Sequence, residues 1–278
     1  MSSHPPTSSD TVSICVLASG ITLIGINCPT RRNAVNRATA KRLYEAFLAF
    51  EADPSQKVCV FYGEHGTFCA GADLHEVSQP NPNNESELKH EFVQGSIGPM
   101  GPSRVQIKKP VIAAVSGYAV AGGLELSLLG DIRIVEESAI FGVFCRRWGV
   151  PLIDGGTVRL QKIVGLGRAM DMMLTGRPVD AREALQMGLA NRVVPDGKAL
   201  EEAISFAEHL LQFPQLCMNA DRNSAYYAAY DAKSFTDAMK NEYGNGLKVV
   251  SVESKAGAAK FSSGAGRHGS STKSKSKL

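Results

Sequence analysis

The chain has 278 residues, of which 44% are hydrophobic, and this length allows a full core in one large domain or in a domain with an appendage. Its net charge is +3, but five basic residues and no acidic residue lie from Lys260 onward, which leaves 25 basic and 27 acidic residues in the rest. The body of the chain is therefore not basic, and this balance gives little support for nucleic-acid binding.

The first part of the chain predicts a lead segment, a hairpin and a helix. Residues 1–10 are rich in serine and proline and lack the apolar region of a signal peptide, so we expect a disordered lead there. Apolar alternation in Val12–Leu17 and Ile21–Asn27, around a Ser-Gly pair, indicates a hairpin. Thr39–Ala52 carries apolar residues at helical spacing and predicts a helix.

Further along, short apolar runs alternate with helical patterns. The runs predict strands at Val58–Tyr62, Val111–Val115, Asp131–Val135 and Val193–Val194. The helical patterns lie at Leu124–Leu129, Gly165–Leu174, Ala181–Met187, Leu200–Phe213 and Phe235–Leu247. Residues 80–87 predict a loop, and Leu88–Ile97 a helix that ends at a Gly-Pro pair. Alternating strands and helices imply βαβ units and mostly parallel sheets, which is an α/β fold.

Two glycine–alanine turns follow predicted strands: Phe68–Leu74, of sequence FCAGADL, and Ser116–Glu125, of sequence SGYAVAGGLE. Small residues let a ligand approach the backbone closely. Gly122 lies at the start of a predicted helix, where unpaired N–H groups and the helix dipole favour an anion. Two such turns can aim a pair of N–H groups at one oxygen and form an oxyanion hole. Glu125, three positions later, falls on roughly the same helix face and can place a carboxylate beside that oxygen.

Three blocks carry a family resemblance: FCAGADL, KPVIAAVSGYAVAGGLELSLLGD and LTGRPVDAREALQMGLANRVVP. Together they resemble the enoyl-CoA hydratase/isomerase, or crotonase, superfamily, closely from about Ile21 to Pro195. The resemblance implies a crotonase-like spiral of ββα units over residues 11–200, then a helical segment over 201–260 for oligomerisation and pocket closure. Family members form trimers or pairs of trimers. Tyr226–Tyr230 and the helix after it are candidates for that interface, with core packing as the alternative.

The resemblance also implies roles for individual residues. The amides of Ala70 and Gly122 would be the two oxyanion-hole donors. Asn33 and Ala34 match the segment that lies along coenzyme A. The residues expected to contact coenzyme A or the acyl group are Asn33, Ala34, Ala70, Ala72, Asp73, Leu74, Tyr118, Gly122 and Gly123. Asp73 has an alternative role as the cap of the following helix.

Hydratases of this family hold one water molecule between two glutamates. Glu125 matches the first, but Cys145 stands where the second is expected, and a thiol with a pKa of about 8.5 is a poor acid and a weak base at neutral pH. Asp154 lies where dienoyl-CoA isomerase relatives carry a catalytic aspartate, so it offers a second carboxylate for proton transfer. The alternative is that Arg146 or Arg147 pairs with Asp154 and makes it a structural anchor.

The leading interpretation is an enzyme of fatty-acid oxidation that hydrates 2-enoyl-CoA thioesters through an enolate held in the oxyanion hole. Isomerisation of an enoyl-CoA or dienoyl-CoA double bond by Glu125 and Asp154 is the alternative. A third interpretation, prompted by Cys145, is a non-catalytic acyl-CoA-binding protein that keeps the fold. Coenzyme A is part of the substrate, so no cofactor is expected, and no His/Cys spacing predicts a metal site.

The last segment, residues 261–278, predicts a flexible basic tail that ends in Ser276-Lys277-Leu278. This tripeptide is the address that the peroxisomal import receptor reads, so we expect a peroxisome or a related organelle. Glycines and Glu125 interrupt the most apolar stretch, Val111–Leu129, and a membrane-spanning helix is not expected. The six cysteines form no CxxC pair, as expected for reduced thiols.

Overall fold

The computed structural model of the protein describes residues 10–79 and 95–263. The chain divides into two compact units, one that ends at Leu211 and one that begins at Gln212. The first unit mixes strands and helices, and the second is helical. Almost all of the predicted lead, the loop over 80–87, most of the helix predicted at Leu88–Ile97 and most of the basic tail lie outside the described residues.

The described part of the first unit contains nine strands and seven α-helices. The strands are β1 (Val12–Val16), β2 (Ile21–Ile26), β3 (Val58–Gly63), β4 (Val111–Val115), β5 (Tyr118–Val120), β6 (Ile132–Glu136), β7 (Ile140–Gly142), β8 (Val179–Asp180) and β9 (Arg192–Val194). The helices are α1 (Arg37–Ala52), α2 (Leu74–Val77), α3 (Gly122–Ser127), α4 (Gly156–Val164), α5 (Leu166–Thr175), α6 (Ala181–Gln186) and α7 (Ala199–Leu210). Short 3-10 turns lie at Pro29–Arg31, Pro102–Arg104 and Phe144–Trp148.

Six of the strands form a sheet in the order β1-β2-β3-β4-β6-β9. β1 is antiparallel to β2, as the predicted hairpin requires, and the other neighbouring pairs are parallel. The register pairs Ile24 with Phe61 and Val60 with Ile112. β5, β7 and β8 form a second, smaller sheet, in which β5 and β7 are parallel. The prediction of mostly parallel sheets is confirmed.

Apolar side chains cover both faces of the large sheet. On one face, Phe47 of α1 and Phe68 each lie 5.2 Å from the ring of Phe61 in edge-to-face contacts. On the other face, α7 packs three buried alanines against the sheet, at positions 199, 203 and 207. Burial on both faces explains why β3 and β4 are continuous apolar runs, which the sequence alone identifies.

The sequence does not predict β5, β7, β8 or α4. The three strands have only two or three residues each, too few for apolar alternation, and tertiary pairing forms them. Phe141 of β7 pairs with Ala119 on one side and with Val179 on the other. Helix α4 follows Gly155, which has a φ of +93°, and it has no side-chain cap. It therefore lacks the Ser, Thr, Asp or Asn that marks a helix start in a sequence.

The second unit contains α8 (Gln215–Tyr230), α9 (Phe235–Val249), a π-helical turn (Val250–Ser254) and α10 (Lys255–Ser262). The sequence predicts only α9, and this helix is confirmed. The Tyr227 hydroxyl donates to the Asp237 carboxylate at 2.9 Å, which closes the turn between α8 and α9, and the Ser234 side chain caps α9. Across residues 10–79 and 95–263, no helix combines the length and the hydropathy needed to cross a bilayer.

Candidate active site

The two glycine–alanine turns lie side by side in the first unit. Cys69 and Ala119 pair as a parallel bridge: the Cys69 N–H donates to the Tyr118 oxygen at 2.8 Å, and the Val120 N–H donates to the Cys69 oxygen at 3.1 Å. Gly123 packs against this junction, and a side chain there would overlap the Cys69 carbonyl. The fold thus brings the two turns together, and glycine at position 123 permits the contact.

The Ala70 amide is not available to a ligand in this structure. Its N–H donates to the Arg32 carbonyl oxygen at 3.1 Å. The oxyanion-donor role of Ala70 stays a prediction, and a substrate oxygen would have to displace a hydrogen bond that the protein already makes. The sequence identifies the turn, but it does not reveal which amide of the turn the neighbouring loop uses.

The Ala72 amide is the uncommitted donor of the first turn. Ala72 forms a parallel bridge with Val35, in which the Val35 N–H donates to the Gly71 oxygen at 2.8 Å and the Asp73 N–H donates to the Val35 oxygen at 2.9 Å. Backbone groups alternate in direction along an extended chain, so the Ala72 N–H points away from Val35. None of the described residues accepts a hydrogen bond from it.

The Gly122 amide, the predicted donor of the second turn, is uncommitted in this structure. Gly122 is the first residue of α3, so its N–H has no acceptor within the helix, and none of the described residues outside the helix accepts from it. Gly71 packs against this turn: a side-chain carbon on Gly71 would lie 3.2 Å from the Gly122 nitrogen. The two uncommitted amides, of Ala72 and Gly122, therefore lie on adjoining backbone segments.

Glu125 is a buried carboxylate, 2% exposed, on α3. Its Oε1 accepts from the amides of Asp154 at 2.9 Å and Gly156 at 2.8 Å, and no described residue donates to Oε2. Burial is the main cause that raises the pKa of Glu125 to about 7; the Gly156 amide opposes this shift, and the charge of Asp154 adds to it. A side chain on Gly156 would lie 2.9 Å from Oε1, so glycine there lets the loop approach the carboxylate.

Asp154 is a second buried carboxylate, 3% exposed, on the loop before α4. Its Oδ1 accepts from the Met100 amide at 2.9 Å and from the Ser103 hydroxyl. Burial raises the pKa of Asp154 above its usual value, although the Ser103 hydroxyl and the Met100 amide lower it in part. Each carboxylate of the pair therefore has one oxygen fixed by the protein and one without a donor in the described part of the chain.

The arginine anchor considered for Asp154 does not form. The Arg146 guanidinium donates to the Met173 carbonyl at 2.9 Å, and that of Arg147 lies 4.3 Å from the Phe144 ring. Pairing with arginine would lower the pKa of Asp154, whereas the shift is upward. Asp154 is therefore not paired with Arg146 or Arg147: its carboxylate accepts from neutral donors, and the charges of Arg104 and Arg159 lower its pKa by less than burial raises it.

Cys145 lies close enough to Glu125 for their charges to interact. Burial, followed by the charge of Glu125, raises the pKa of the Cys145 thiol, so the thiol is protonated at neutral pH. The position that carries the second glutamate in hydratases is thus beside the catalytic candidate, but it holds a neutral group. No cluster of three His, Cys, Asp or Glu side chains in residues 10–79 and 95–263 is arranged to hold a metal ion.

The residues predicted to bind coenzyme A differ in which of their polar groups are free of hydrogen bonds within the described part of the protein. The Asn33 side chain is committed: Oδ1 accepts from the Cys28 amide at 2.7 Å, and Nδ2 donates to the carbonyls of Glu64 at 2.9 Å and Thr67 at 2.6 Å. Asn33 therefore holds a loop, and because its N–H donates to the Cys28 carbonyl at 3.0 Å, only its own carbonyl is left for a ligand. Ala34 is half-buried.

Asp73, Leu74 and Tyr118 lie on the surface near the first turn. The Asp73 carboxylate accepts from the His75 amide at 3.0 Å and caps α2, so the capping role is present. Its other oxygen lies 3.9 Å from Arg31. Leu74 and Tyr118 are both exposed and accessible to a ligand. Gly123 is buried.

Sequence reasoning missed four residues of this site: Met100, Ser103, Gly156 and Arg159. The Met100 amide, the Ser103 hydroxyl and the Gly156 amide bond the two carboxylates directly. Arg159 donates to the carbonyls of Asp154 at 3.1 Å and Ser103 at 2.8 Å. Ser103 and Asp154 are 51 positions apart, and neither segment has a periodic pattern that would predict their contact.

Comparisons with known proteins agree with this geometry. The family model for enoyl-CoA hydratase/isomerase matches residues 17–263. The enoyl-CoA hydratase EchA19 of Mycobacterium tuberculosis is 34% identical over 247 residues, 86% of this chain and 89% of that protein. A probable mitochondrial enoyl-CoA hydratase 2 of Arabidopsis thaliana is 38% identical over 234 residues, 83% of this chain and 72% of that protein.

The solved structures extend the similarity to the fold. A crystal structure of an enoyl-CoA hydratase from Mycobacterium tuberculosis superposes with a TM-score of 0.81 at 29% identity, and the match covers 91% of this chain and 96% of that chain. The predicted crotonase-like α/β fold with a helical C-terminal segment is confirmed, and so is the resemblance on which that prediction rests.

Proposed function

Because the chain belongs to the enoyl-CoA hydratase/isomerase family, we propose that it is an acyl-CoA hydratase of fatty-acid oxidation that adds water across the double bond of a 2-enoyl-CoA thioester. The observation that carries this proposal is the state of Glu125, a buried carboxylate with a pKa of about 7 and one oxygen without a protein donor. A base whose pKa lies near the working pH exchanges protons with water efficiently.

In this proposal the thioester oxygen binds to the amides of Ala72 and Gly122, with Ala72 in place of Ala70. Negative charge develops on that oxygen as the water oxygen bonds to C3 of the acyl chain and an enolate forms. Two preorganised N–H donors and the start of α3 stabilise this charge. Glu125 takes a proton from the attacking water, and a proton passes from Glu125 to C2, directly or through Asp154, so that the addition is complete and both carboxyl groups return to their starting states.

Asp154 is the second proton-transfer group of the proposed mechanism. It takes the place of the glutamate that is missing at Cys145, because its carboxyl is buried and electrostatically coupled to Glu125. Coenzyme A would lie along the backbone of Ala34 and of the Ala72–Leu74 segment, with Tyr118 beside it. Asn33 would contribute only its main-chain carbonyl. No further cofactor takes part in this reaction.

Double-bond isomerisation is a second candidate function, favoured by the neutral thiol at Cys145. Two carboxylates on one acyl chain could remove a proton from one carbon and return it to another. The purified protein should be assayed with crotonyl-CoA and with a 3-enoyl-CoA. Loss of the conjugated-enoyl absorbance indicates hydration, and its appearance from the 3-enoyl substrate indicates isomerisation. If Glu125→Gln left both rates unchanged, each of the two functions would be excluded.

We also propose a homotrimer or homohexamer, in line with the family. The second unit supports this with a row of exposed apolar residues on α9, namely Phe235, Met239, Tyr243 and Leu247. Tyr226 and Tyr230, the other candidates, stack at 6.0 Å. Light scattering should give three or six times the chain mass of 29.7 kDa. A monomer at micromolar concentration would contradict the proposal.

Ser276-Lys277-Leu278 supports a proposal of peroxisomal import through the receptor for this tripeptide. The relatives reported above include a bacterial and a mitochondrial protein, so the family does not fix the compartment. A fluorescent protein carrying the last residues of this chain should enter peroxisomes, and removal of the tripeptide should leave it in the cytosol. Equal distributions would exclude this address.

A further inference from the structure

The bend before β4, residues 98–104, holds the carboxylate of Asp154. Ser103 is 3% exposed, and its hydroxyl donates to Oδ1 of Asp154, while the Met100 amide donates to the same oxygen at 2.9 Å. Both donors converge on Oδ1, and no described residue donates to Oδ2. The bend therefore distinguishes the two oxygens of one carboxylate.

The geometry of the bend leaves little freedom for these donors. Gly98 and Gly101 exchange two backbone hydrogen bonds at 2.8 Å, which fixes the segment that carries Met100. A side chain on Gly98 would overlap the Ser103 hydroxyl and lie 2.9 Å from Oδ1 of Asp154. Gly101 has a φ of +82°, and a side chain there would overlap the Ala40 carbonyl of α1. The Gly98 backbone thus packs directly against the hydroxyl, and Gly101 lets the bend approach α1.

Arg159 of α4 braces the two segments that meet at this hydrogen bond. Its guanidinium donates to the Ser103 carbonyl at 2.8 Å and to the Asp154 carbonyl at 3.1 Å. The planar guanidinium suits such a bridge, because its donors have a fixed relative geometry. Arg159 therefore holds the main chain of both residues, and the Ser103 hydroxyl fixes the orientation of the Asp154 carboxylate.

We propose that Ser103 is a positioning residue for the reaction: its hydroxyl fixes Oδ1 of Asp154 so that Oδ2 is the oxygen that exchanges a proton at the acyl chain. The inference rests on the proposed function, because it assigns the orientation of a carboxylate which that function uses. Ser103 itself does not touch the substrate.

Removal of the Ser103 hydroxyl should shift the pKa of Asp154 in the same direction whether Asp154 acts as a base or as an acid. A donor to a carboxylate favours its charged form, so Ser103→Ala raises the pKa of Asp154. Whether Asp154 acts as base or acid, its limb of the kcat/KM profile then moves to higher pH. The charged groups that face Asp154 are Glu125 of α3, Arg104 of the bend and Arg159 of α4, and all three stay in place.

The test combines titration with kinetics on the full chain. The carboxyl carbons of 13C-aspartate-labelled protein are titrated by NMR, and Asp154→Asn identifies the Asp154 signal. Ser103→Ala should move its pKa up by about one to two units, as expected for loss of a hydrogen bond to a charged group. It should also lower kcat by roughly 10-fold or more, with KM little changed. Cysteine is near serine in size but is a weaker donor, so Ser103→Cys should have an Asp154 pKa and a kcat between those of the wild type and of Ser103→Ala.

The matched control is Ser127→Ala, which removes another fully buried hydroxyl, one that donates to the Leu124 carbonyl at 2.7 Å. It should leave the Asp154 titration unchanged. An unshifted Asp154 pKa and pH profile in Ser103→Ala would overturn this inference alone. Full activity of Asp154→Asn would overturn both the inference and the catalytic role of Asp154. A shifted pKa in a protein that hydrates no enoyl-CoA would support the Ser103–Asp154 link and overturn the proposed reaction.

Discussion

The two halves of the candidate site are built in different ways. The proposed donor half, Ala72 and Gly122, consists of backbone amides, and its side chains matter only because they are small. The carboxylate half, Glu125 and Asp154, consists of side chains whose properties depend on burial and on donors from distant segments. An added methyl group should therefore break the first half, whereas a change of charge without a change of shape should break the second.

The largest effect is expected from Gly123→Ala. The new methyl group would overlap the Cys69 carbonyl, which is backbone and cannot turn aside, so the junction of the two turns must separate. We expect destabilisation by about 3 kcal/mol or more and loss of activity. Thermal unfolding and soluble yield measure it. The control is Gly167→Ala on α5, where nothing lies within 4 Å, and a gain of up to about 1 kcal/mol is expected. Wild-type stability of Gly123→Ala would refute this account of the donor half.

Glu125→Gln should separate activity from stability. It should lower kcat by about 10²–10⁴, because the proton-transfer group is lost. The glutamine oxygen can still accept from Asp154 and Gly156, so the loop should keep its shape. The folded-state pKa of Glu125 is raised from 4.5 to about 7, so its ionisation opposes folding increasingly as pH rises through that interval. Above pH 7 the variant should therefore be at least as stable as the wild type.

Hydration rates and thermal unfolding at pH 6 and pH 8 measure this separation. Glu137→Gln, on an exposed residue, is the control and should change neither quantity. A variant that loses activity only in proportion to a loss of folded protein would argue against a chemical role.

The pH dependence of kcat/KM provides a further test of the carboxylate half. If Glu125 is the base, kcat/KM for the wild type rises with pH through about 7, the pKa of the carboxylate in the free enzyme. A profile that is already flat at pH 5 would mean that another group removes the proton.

Cys145→Ala should have the smallest effect on catalysis. The thiol is protonated at neutral pH, so its loss should change kcat by less than about threefold. The small cavity should cost about 1 kcal/mol. Cys59→Ala, another buried cysteine, controls for this cost. A large loss of kcat in Cys145→Ala alone would give the thiol a role that the carboxylate pair does not explain.

The sequence predicts the two turns of the donor half because the residues that form each turn are neighbours in the chain. Glycine and alanine next to apolar runs indicate both turns, and Gly122 precedes Glu125 by nearly one helical turn. The proposal of Ala72 in place of Ala70 is different, since it depends on the Arg32 carbonyl, which belongs to another loop. Short-range patterns carry no information on such a contact.

The carboxylate half is only partly predictable for the same reason. Glu125 and Asp154 are identifiable from their blocks, but the amide of Asp154 reaches Glu125 across 29 positions, and Ser103 reaches Asp154 across 51. Burial, which raises both pKa values, is a property of the assembled core. Strands β5, β7 and β8 of the smaller sheet form through pairing and not through propensity.

Ala121 has a consequence for anyone who wishes to transfer the proposed anion-binding turn to another protein. Its φ of +54° is uncommon for a residue with a side chain and costs about 1–3 kcal/mol when nothing imposes it. Its N–H donates to the Gly142 carbonyl of β7 at 2.8 Å. A synthetic peptide of the Tyr118–Glu125 segment alone would relax away from the shape of this turn. The smallest transplantable piece must therefore include β7.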